Sequence, residues 1–366
     1  MSKTLPKFVA VLAATSLVLA GCSSDDSDDA SDTAVSTTAV DDVAVVSVED
    51  NHGTVEIETP VESVIATDNR TFELLDDWGV NVVAAPQPLV PETVPGIKEN
   101  ADIVDLGNHR EPNLEATVAA DADLIIVGQR FSQYYDDIKD LNPDTPIIEL
   151  EPREGEPLAD ELIRQVEILG EIFDHEDEAQ KLVDNFNAAI DRAKEAYSNS
   201  DTVMAVNVSG GEIGYIAPGE GRTFGPIFDL LGLNPALEID NSSDSHTGDD
   251  ISVEAIADAN PDWIFVLDRD AAVDAAEEGY TPALDVISDA AALANVTAVV
   301  EGHLVLAPAD TYTNEGIQTY TEILDLIADA FETAGNGDVD NGAVDADADA
   351  IDGANADSET ENVENE

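Results

Sequence analysis

The spacing of apolar residues predicts the architecture of this chain before any single residue suggests a function. Residues 43–48 and 54–58 alternate apolar with polar positions around Asp50-Asn51-His52-Gly53, the pattern of a hairpin. Short apolar runs and helical periods then take turns: a strand over 63–66, a helix over 70–78, a strand over 80–85 closed by Pro86, a helix over 134–140 and a strand over 146–150. Such alternation predicts a parallel sheet with helices on its faces. Two longer helical periods follow. The first, 158–173, places Leu158, Leu162, Val166, Leu169 and Phe173 on one face, and the second, 176–197, does the same with Ala179, Val183, Phe186, Ile190 and Ala193. At about 1.5 Å per residue the second spans roughly 33 Å, long enough to join two lobes. Further on come a strand over 202–208, a glycine-rich passage over 209–225, a polar loop over 241–250 centred on His246, a strand over 304–307, a loop bearing Tyr312 and a last helix over 316–331. The glycine-rich passage is neither a Walker loop nor a dinucleotide fingerprint. It reads as a hairpin or loop presenting Tyr215, Arg222 and Phe224.

Within this pattern one segment occurs twice. Residues 114–130, LEATVAADADLIIVGQR, and residues 253–269, VEAIADANPDWIFVLDR, align without a gap at an offset of 139 and agree at seven of seventeen positions. Each copy begins with a glutamate on a short helix (Glu115, Glu254), passes a polar turn into a buried-type strand, and ends in an arginine (Arg130, Arg269). Continuous apolar runs of this kind are strands covered on both faces. The arginines fall just past the strands' carboxyl ends, where open α/β sheets bind ligands. Two like lobes, each aiming a guanidinium from the same place, imply a cleft for an anion.

Composition adds a compartment and excludes some partners. Lys3 and Lys7 precede an apolar stretch ending in Leu19-Ala20-Gly21-Cys22, a secretory signal too short to serve as a membrane span. Leu-Ala-Gly-Cys resembles the bacterial lipobox, whose cysteine carries the lipid. Cys22 is the only cysteine, so no disulfide within the chain is possible. The expected division is a signal peptide over 1–21, an acidic tether without periodicity over 22–42, an N-terminal α/β lobe over 43–175, a linking helix over 176–199, a C-terminal α/β lobe over 200–331, and an acidic tail over 332–366. The chain holds 80 acidic against 14 basic residues, a formal net charge of −66. Nucleic acid and anionic membrane surfaces are poor partners for that field, so membrane attachment is expected through the lipid. After Lys194 only two cations remain, Arg222 and Arg269, and in so base-poor a chain each calls for a reason.

Taken together, the lipobox, the paired segments, Arg130-Phe-Ser-Gln-Tyr-Tyr, the glycine-rich Arg222 loop, the Ser-His-Thr-Gly loop at His246, NPDWIFVLDRD around Arg269, and Leu-x-Pro before Tyr312 resemble the substrate-binding lipoproteins of ferric-siderophore ABC importers, especially the catecholate-binding group. The resemblance covers about residues 43–331. It implies two Rossmann-like α/β lobes with parallel central sheets, joined by a long interdomain helix. It also implies a monomeric, lipid-anchored receptor on the extracytoplasmic face of the cell membrane, with no permanent cofactor, whose ligand is ferric iron as a siderophore complex. In that pattern Arg130, Arg222 and Arg269 hold the anionic catecholates; Tyr134 and Tyr135 either stack on an aromatic ligand or pack, with Tyr135 the candidate contact. His246 and Tyr312 complete the iron coordination, and Glu115 and Glu254 dock onto cationic pockets of the ABC permease. Two departures stand out: the Arg222 turn, GEGRTFG, is a residue longer than usual, and Thr313-Asn314-Glu315 replaces a glycine-rich run.

A heme receptor is the nearest alternative, because a histidine and a tyrosine across a cleft can serve as axial ligands. The other histidines, His52, His109, His175 and His303, lie in unlike contexts without metal-ligand spacing. There is no nucleophile elbow and no HExxH, which argues against a secreted hydrolase.

Overall fold

The computed structural model describes residues 44–240 and 242–335. The alternating segment forms a hairpin of β1 (Ala44–Asp50) and β2 (Gly53–Thr59), paired from Ala44↔Thr59 to Asp50↔Gly53. Its turn is fixed by the Asp50 carboxylate, which accepts the backbone N–H groups of His52 and Gly53, both at 2.8 Å. The first lobe continues through β3 (Val64–Ala66), α1 (Phe72–Asp77), β4 (Val82–Ala85), β5 (Val104–Asp105), α2 (Glu115–Ala120), β6 (Leu124–Val127), α3 (Tyr135–Leu141) and β7 (Ile147–Glu149). These strands make an all-parallel sheet in the order β5-β4-β3-β6-β7. Every residue of β6 is buried, as the unbroken apolar run requires of a strand covered on both faces.

Two helices lead to the second lobe: α4 (Leu158–Phe173) and α5 (Glu176–Ala196). The 21 residues of α5 span about 31 Å. Next come β8 (Thr202–Ser209), β9 (Glu212–Ile216), α6 (Gly225–Leu231), β10 (Asp249–Asp250), α7 (Val253–Ala259), β11 (Trp263–Asp268), α8 (Arg269–Val273), β12 (Leu304–Leu306) and α9 (Ile317–Gly335). The second sheet runs β10-β9-β8-β11-β12, with Asn234–Pro235 pairing alongside β8. Its central strands β8, β11 and β12 are parallel, whereas β9 folds back antiparallel on β8. The reversal sits at Gly210-Gly211, with φ of 61° and 78°, since a two-residue hairpin turn matching the strand twist needs positive φ at both positions.

The internal repeat extends beyond the residues that are identical. In the first lobe β3 pairs with β6 in the register Val64↔Leu124, and in the second β8 pairs with β11 in the register Val203↔Trp263. Both partners of the second pair sit 139 residues on from those of the first. Asp123 accepts the Ser63 hydroxyl at 2.9 Å, and Asp262, its counterpart, accepts the Thr202 hydroxyl at 2.8 Å. The helix-to-strand turns match as well, with Asp121 and Asn260 both left-handed at φ 47°. One parallel strand pair, with the short helix that leads into its second strand, is therefore built twice, down to its polar fastenings.

The largest core cluster takes one face of each sheet together with α4, α5 and α9, while a separate cluster covers the other face of each sheet. Phe331 on α9 touches Tyr197, Trp263 and Phe265, at centroid distances of 5.2, 4.8 and 6.2 Å. The last helix runs on to Gly335, past the boundary expected at residue 331. The reason is local: Glu332 accepts from Arg192 of α5 at 2.8 and 2.7 Å. The signal segment, Cys22, the tether and residues 336–366 of the tail lie outside the described residues.

Candidate functional site

Three guanidinium groups surround a single aromatic ring. Tyr312, in the turn Thr311–Thr313, is only 5% exposed, and Arg222, Arg269 and Arg130 place their Cζ atoms 4.2, 5.1 and 5.6 Å from its ring centroid. The negative face of the ring draws cations to it. Mutual repulsion among the three charges makes so close a cluster costly unless anions balance it. The cluster lines a cleft of about 390 Å³, together with His246, His109, Arg110 and Lys98. A larger cavity of about 1210 Å³ lies between residues 154–159 and 219–230. Its lining contains Glu154, Glu156, Glu220, Asp229 and Asp244 but no base, so it repels anions and is not their site.

Each arginine arrives by its own route. Arg130 follows β6 on a short turn, Arg269 is the first residue of α8 after β11, and Arg222 hangs on the loop between β9 and α6. The start of α8 is set by Asp268, whose buried carboxylate accepts the Ala271 N–H at 3.0 Å. Tyr312 is held from both sides. Its own segment, 310–318, leans on the first lobe, where Asn69 donates to the Thr313 carbonyl at 2.8 Å and Asn314 donates to Glu73 at 2.7 Å. His246 is exposed on its loop, and its carbonyl accepts from Asn207 of β8 at 3.1 Å. This loop passes so near β9 that a Cβ on Gly214 would stand 2.1 Å from the Thr247 carbonyl; only glycine fits there.

The three cations differ in how they are balanced. Arg222 makes a two-pronged pair with Glu315, at 2.6 and 3.2 Å, and donates to the Tyr312 carbonyl at 3.0 Å. Burial alone would lower the Arg222 pKa, but the Glu315 charge and its hydrogen bonds reverse the sign and raise it. Arg269 pairs with Asp270 at 3.0 Å and reaches Asp274 at 3.7 Å. Arg130 has no carboxylate within ion-pair distance among the described residues, and its Nη1 is buried without a hydrogen-bond partner there. Burial, and then the Arg222 charge, lower its pKa. The Nε of Arg269 is likewise unpartnered among those residues. Unsatisfied buried donors of this kind favour an anion that can accept from them.

Not every expected residue joins the cluster. Tyr135 does not: its ring is 6% exposed and stacks on His52 at 3.7 Å, in a separate cavity behind β1 and β2. Burial, then the Asp50 and Glu149 carboxylates, push its phenol up to about 12. The helical turn at Tyr135 directs it into the core of the first lobe, while Arg130, five residues earlier, remains on the cleft. In the glycine-rich passage Arg222 alone faces the cleft. Tyr215 is buried and donates to the Leu237 carbonyl, and Phe224 is buried against Phe265. Glu115 and Glu254 are exposed in the first turns of α2 and α7. The residues that pattern reasoning missed are Glu315, Asp270 and His109. Glu315 stood in view as a departure from the family pattern; nothing in its spacing said it would turn toward Arg222.

Residues 64–311 match the family described as periplasmic binding protein, about two thirds of the chain. The petrobactin-binding protein YclQ of Bacillus subtilis is 27% identical over 288 residues, covering 77% of this chain and 86% of that protein. The ferric-anguibactin-binding protein FatB of Vibrio anguillarum is 28% identical over 291 residues, covering 78% and 87%. The crystal structure of YclQ superposes with a TM-score of 0.66 at 24% identity, covering 79% of this chain and 99% of that one, which establishes a shared two-lobe α/β fold. A family match over about two thirds of the chain, joined to a cleft that gathers cations, leads to one conclusion: the chain belongs to the periplasmic binding protein family.

Proposed function

We propose that this protein captures a ferric siderophore, of the catecholate class, in the cleft between its lobes and delivers it to an ABC permease while anchored to the membrane by lipid on Cys22. The observation that carries this reading is the convergence of Arg130, Arg222 and Arg269 on Tyr312, with His246 on the same cleft. Catecholate oxygens on ferric iron retain negative charge, and a guanidinium offers them a planar fork of donors. Arg130 brings its buried Nη1 and Arg269 its Nε, both without a hydrogen-bond partner among the described residues. At about 1.5–3 kcal/mol for each hydrogen bond to a charged group, two or three such contacts supply a good part of the roughly 8 kcal/mol of micromolar binding. His246 and Tyr312, which line the same cleft, would fill positions on the iron that the chelator leaves open. The relatives named for petrobactin and ferric anguibactin support a siderophore as the ligand class. Exposed at the start of matching helices, one per lobe, Glu115 and Glu254 serve as the contacts for the permease.

Titration of purified protein with a ferric catecholate, followed by tryptophan quenching and by the visible charge-transfer band, tests the reading. Arg130→Ala and Arg269→Ala are each expected to weaken binding at least about tenfold, roughly 1.4 kcal/mol. Unchanged affinity in both variants would remove the site. A Soret band on adding hemin, without ferric-catecholate binding, would establish the heme reading instead, since His246 and Tyr312 share one cleft.

A further inference from the structure

We infer that Glu315 and Asp270 set the charge of the ligand, matching the cleft to a chelate of low negative charge and discriminating against a fully charged ferric tris-catecholate. The inference rests on the ferric-siderophore reading and refines it. Of the three arginines around Tyr312, Arg222 is closed by Glu315 at 2.6 Å and Arg269 by Asp270 at 3.0 Å, which leaves Arg130 as the charge of the cluster without a carboxylate partner among the described residues. Lys98, on the same wall, is paired with Glu92 at 3.2 Å, and Arg110 stands exposed at the rim.

Glu315 is built in as a permanent charge. It is 3% exposed, accepts from Thr223 at 2.6 Å and from Gln129 of the opposite lobe at 3.2 Å, and so cannot swing away from Arg222. Burial alone would raise its pKa, but Arg222 and then Arg70 reverse the sign and hold it below the usual carboxylate range. Asp270 is fastened in the same way, by Ser209 and the Gly210 N–H.

Charge selects a ligand because two costs scale differently. Attraction to a site grows in proportion to the ligand's charge, whereas the cost of taking that charge out of water grows with its square. A strongly cationic pocket therefore favours a highly charged chelate, and a nearly balanced one favours a chelate of low charge. Iron(III) bound by six catecholate oxygens carries three net negative charges; bound by four, it carries one. Germanium(IV) held by the same six oxygens has the same shape as the ferric complex and one negative charge fewer.

Affinities of the wild type and of Glu315→Gln for a three-catechol chelator loaded with iron(III) or germanium(IV), and for a two-catechol ferric chelate, test the inference. Wild type is expected to bind the germanium complex more tightly than its ferric twin. Glu315→Gln should shift the ferric-to-germanium ratio toward iron by at least about tenfold, roughly 1.4 kcal/mol. Should Glu315→Gln fail to fold, Asp270→Asn, nearer the surface, is expected to shift the ratio in the same direction, and the wild-type preference is measured without either variant. A wild type that favours the ferric twin, or a ratio that no folded variant moves, overturns the inference while leaving the siderophore reading standing. Failure to bind any of the three chelates overturns both.

Discussion

Asp68 shows how much a single buried group can weigh. It is fully buried just past β3, accepting from Gln165 at 3.0 Å and from the Arg70 N–H at 3.0 Å, and Gly128 leaves it room where a Cβ would come within 2.4 Å of its carboxyl carbon. Burial raises its pKa from 3.8 to about 6, against the lowering effect of Arg70. The folded state therefore holds this proton more tightly than the unfolded chain. Its contribution is fully present below pH 3.8 and is lost as pH rises through about 6, a change of order 3 kcal/mol. Asp68→Asn keeps the shape without the charge, so the variant is expected to gain stability over wild type progressively between about pH 4 and 6 and to hold the gain above. Urea midpoints at pH 4, 5, 6 and 7.5 check this, and a constant gap across the series would contradict it. Sequence pattern exposed the two repeat arginines, because each follows a strand whose run is unmistakable. It did not place Tyr135, whose ring faces His52 rather than the cleft. Direction around a short helical turn is set by tertiary packing, and two adjacent tyrosines give no period to read.

Between residues and the whole fold, the contact of α5 with α9 matters most. The helix α5 was readable from its apolar stripe, and α4 has the bounds its stripe predicts, Leu158–Phe173. The short elements between β11 and β12, among them the helices Ala283–Asp289 and Thr297–Glu301, left no comparable signal, since five to seven residues give too few turns for a period to show. The antiparallel return of β9 was half legible: the glycine-rich passage allowed a hairpin or a loop, but gave no sign of where in the sheet the strand would sit. On α9, Phe331 ties the last helix to the second sheet through Trp263 and to the end of α5 through Tyr197. Phe331→Ala is expected to lose about 3–5 kcal/mol of stability, the usual cost of emptying an aromatic core site. Because Phe331 sits edge-on to Trp263, the native tryptophan emission should change along with the denaturant midpoint. A loss under about 1 kcal/mol would mean that the helices close over the gap.

For the whole molecule, charge opposes the task proposed for the site. A chain with a net charge of −66 repels an anionic chelate at a distance, while Arg130 and its neighbours attract it only near contact. At physiological salt the long-range part is screened beyond about 8 Å, and at low salt it reaches much further. The arginine contacts, partly buried, are screened far less. Adding salt should therefore quicken association of a ferric catecholate while changing its dissociation little, the reverse of the usual behaviour of an anion meeting a cationic pocket. Stopped-flow tryptophan quenching between about 0.05 and 0.5 M salt, where the screening length shrinks severalfold, measures both rates directly. An association rate that falls steeply over this range would show that the cleft projects its own positive field past the acidic surface. In that case Glu315 and Asp270 would neutralise less of the arginine cluster than their distances imply.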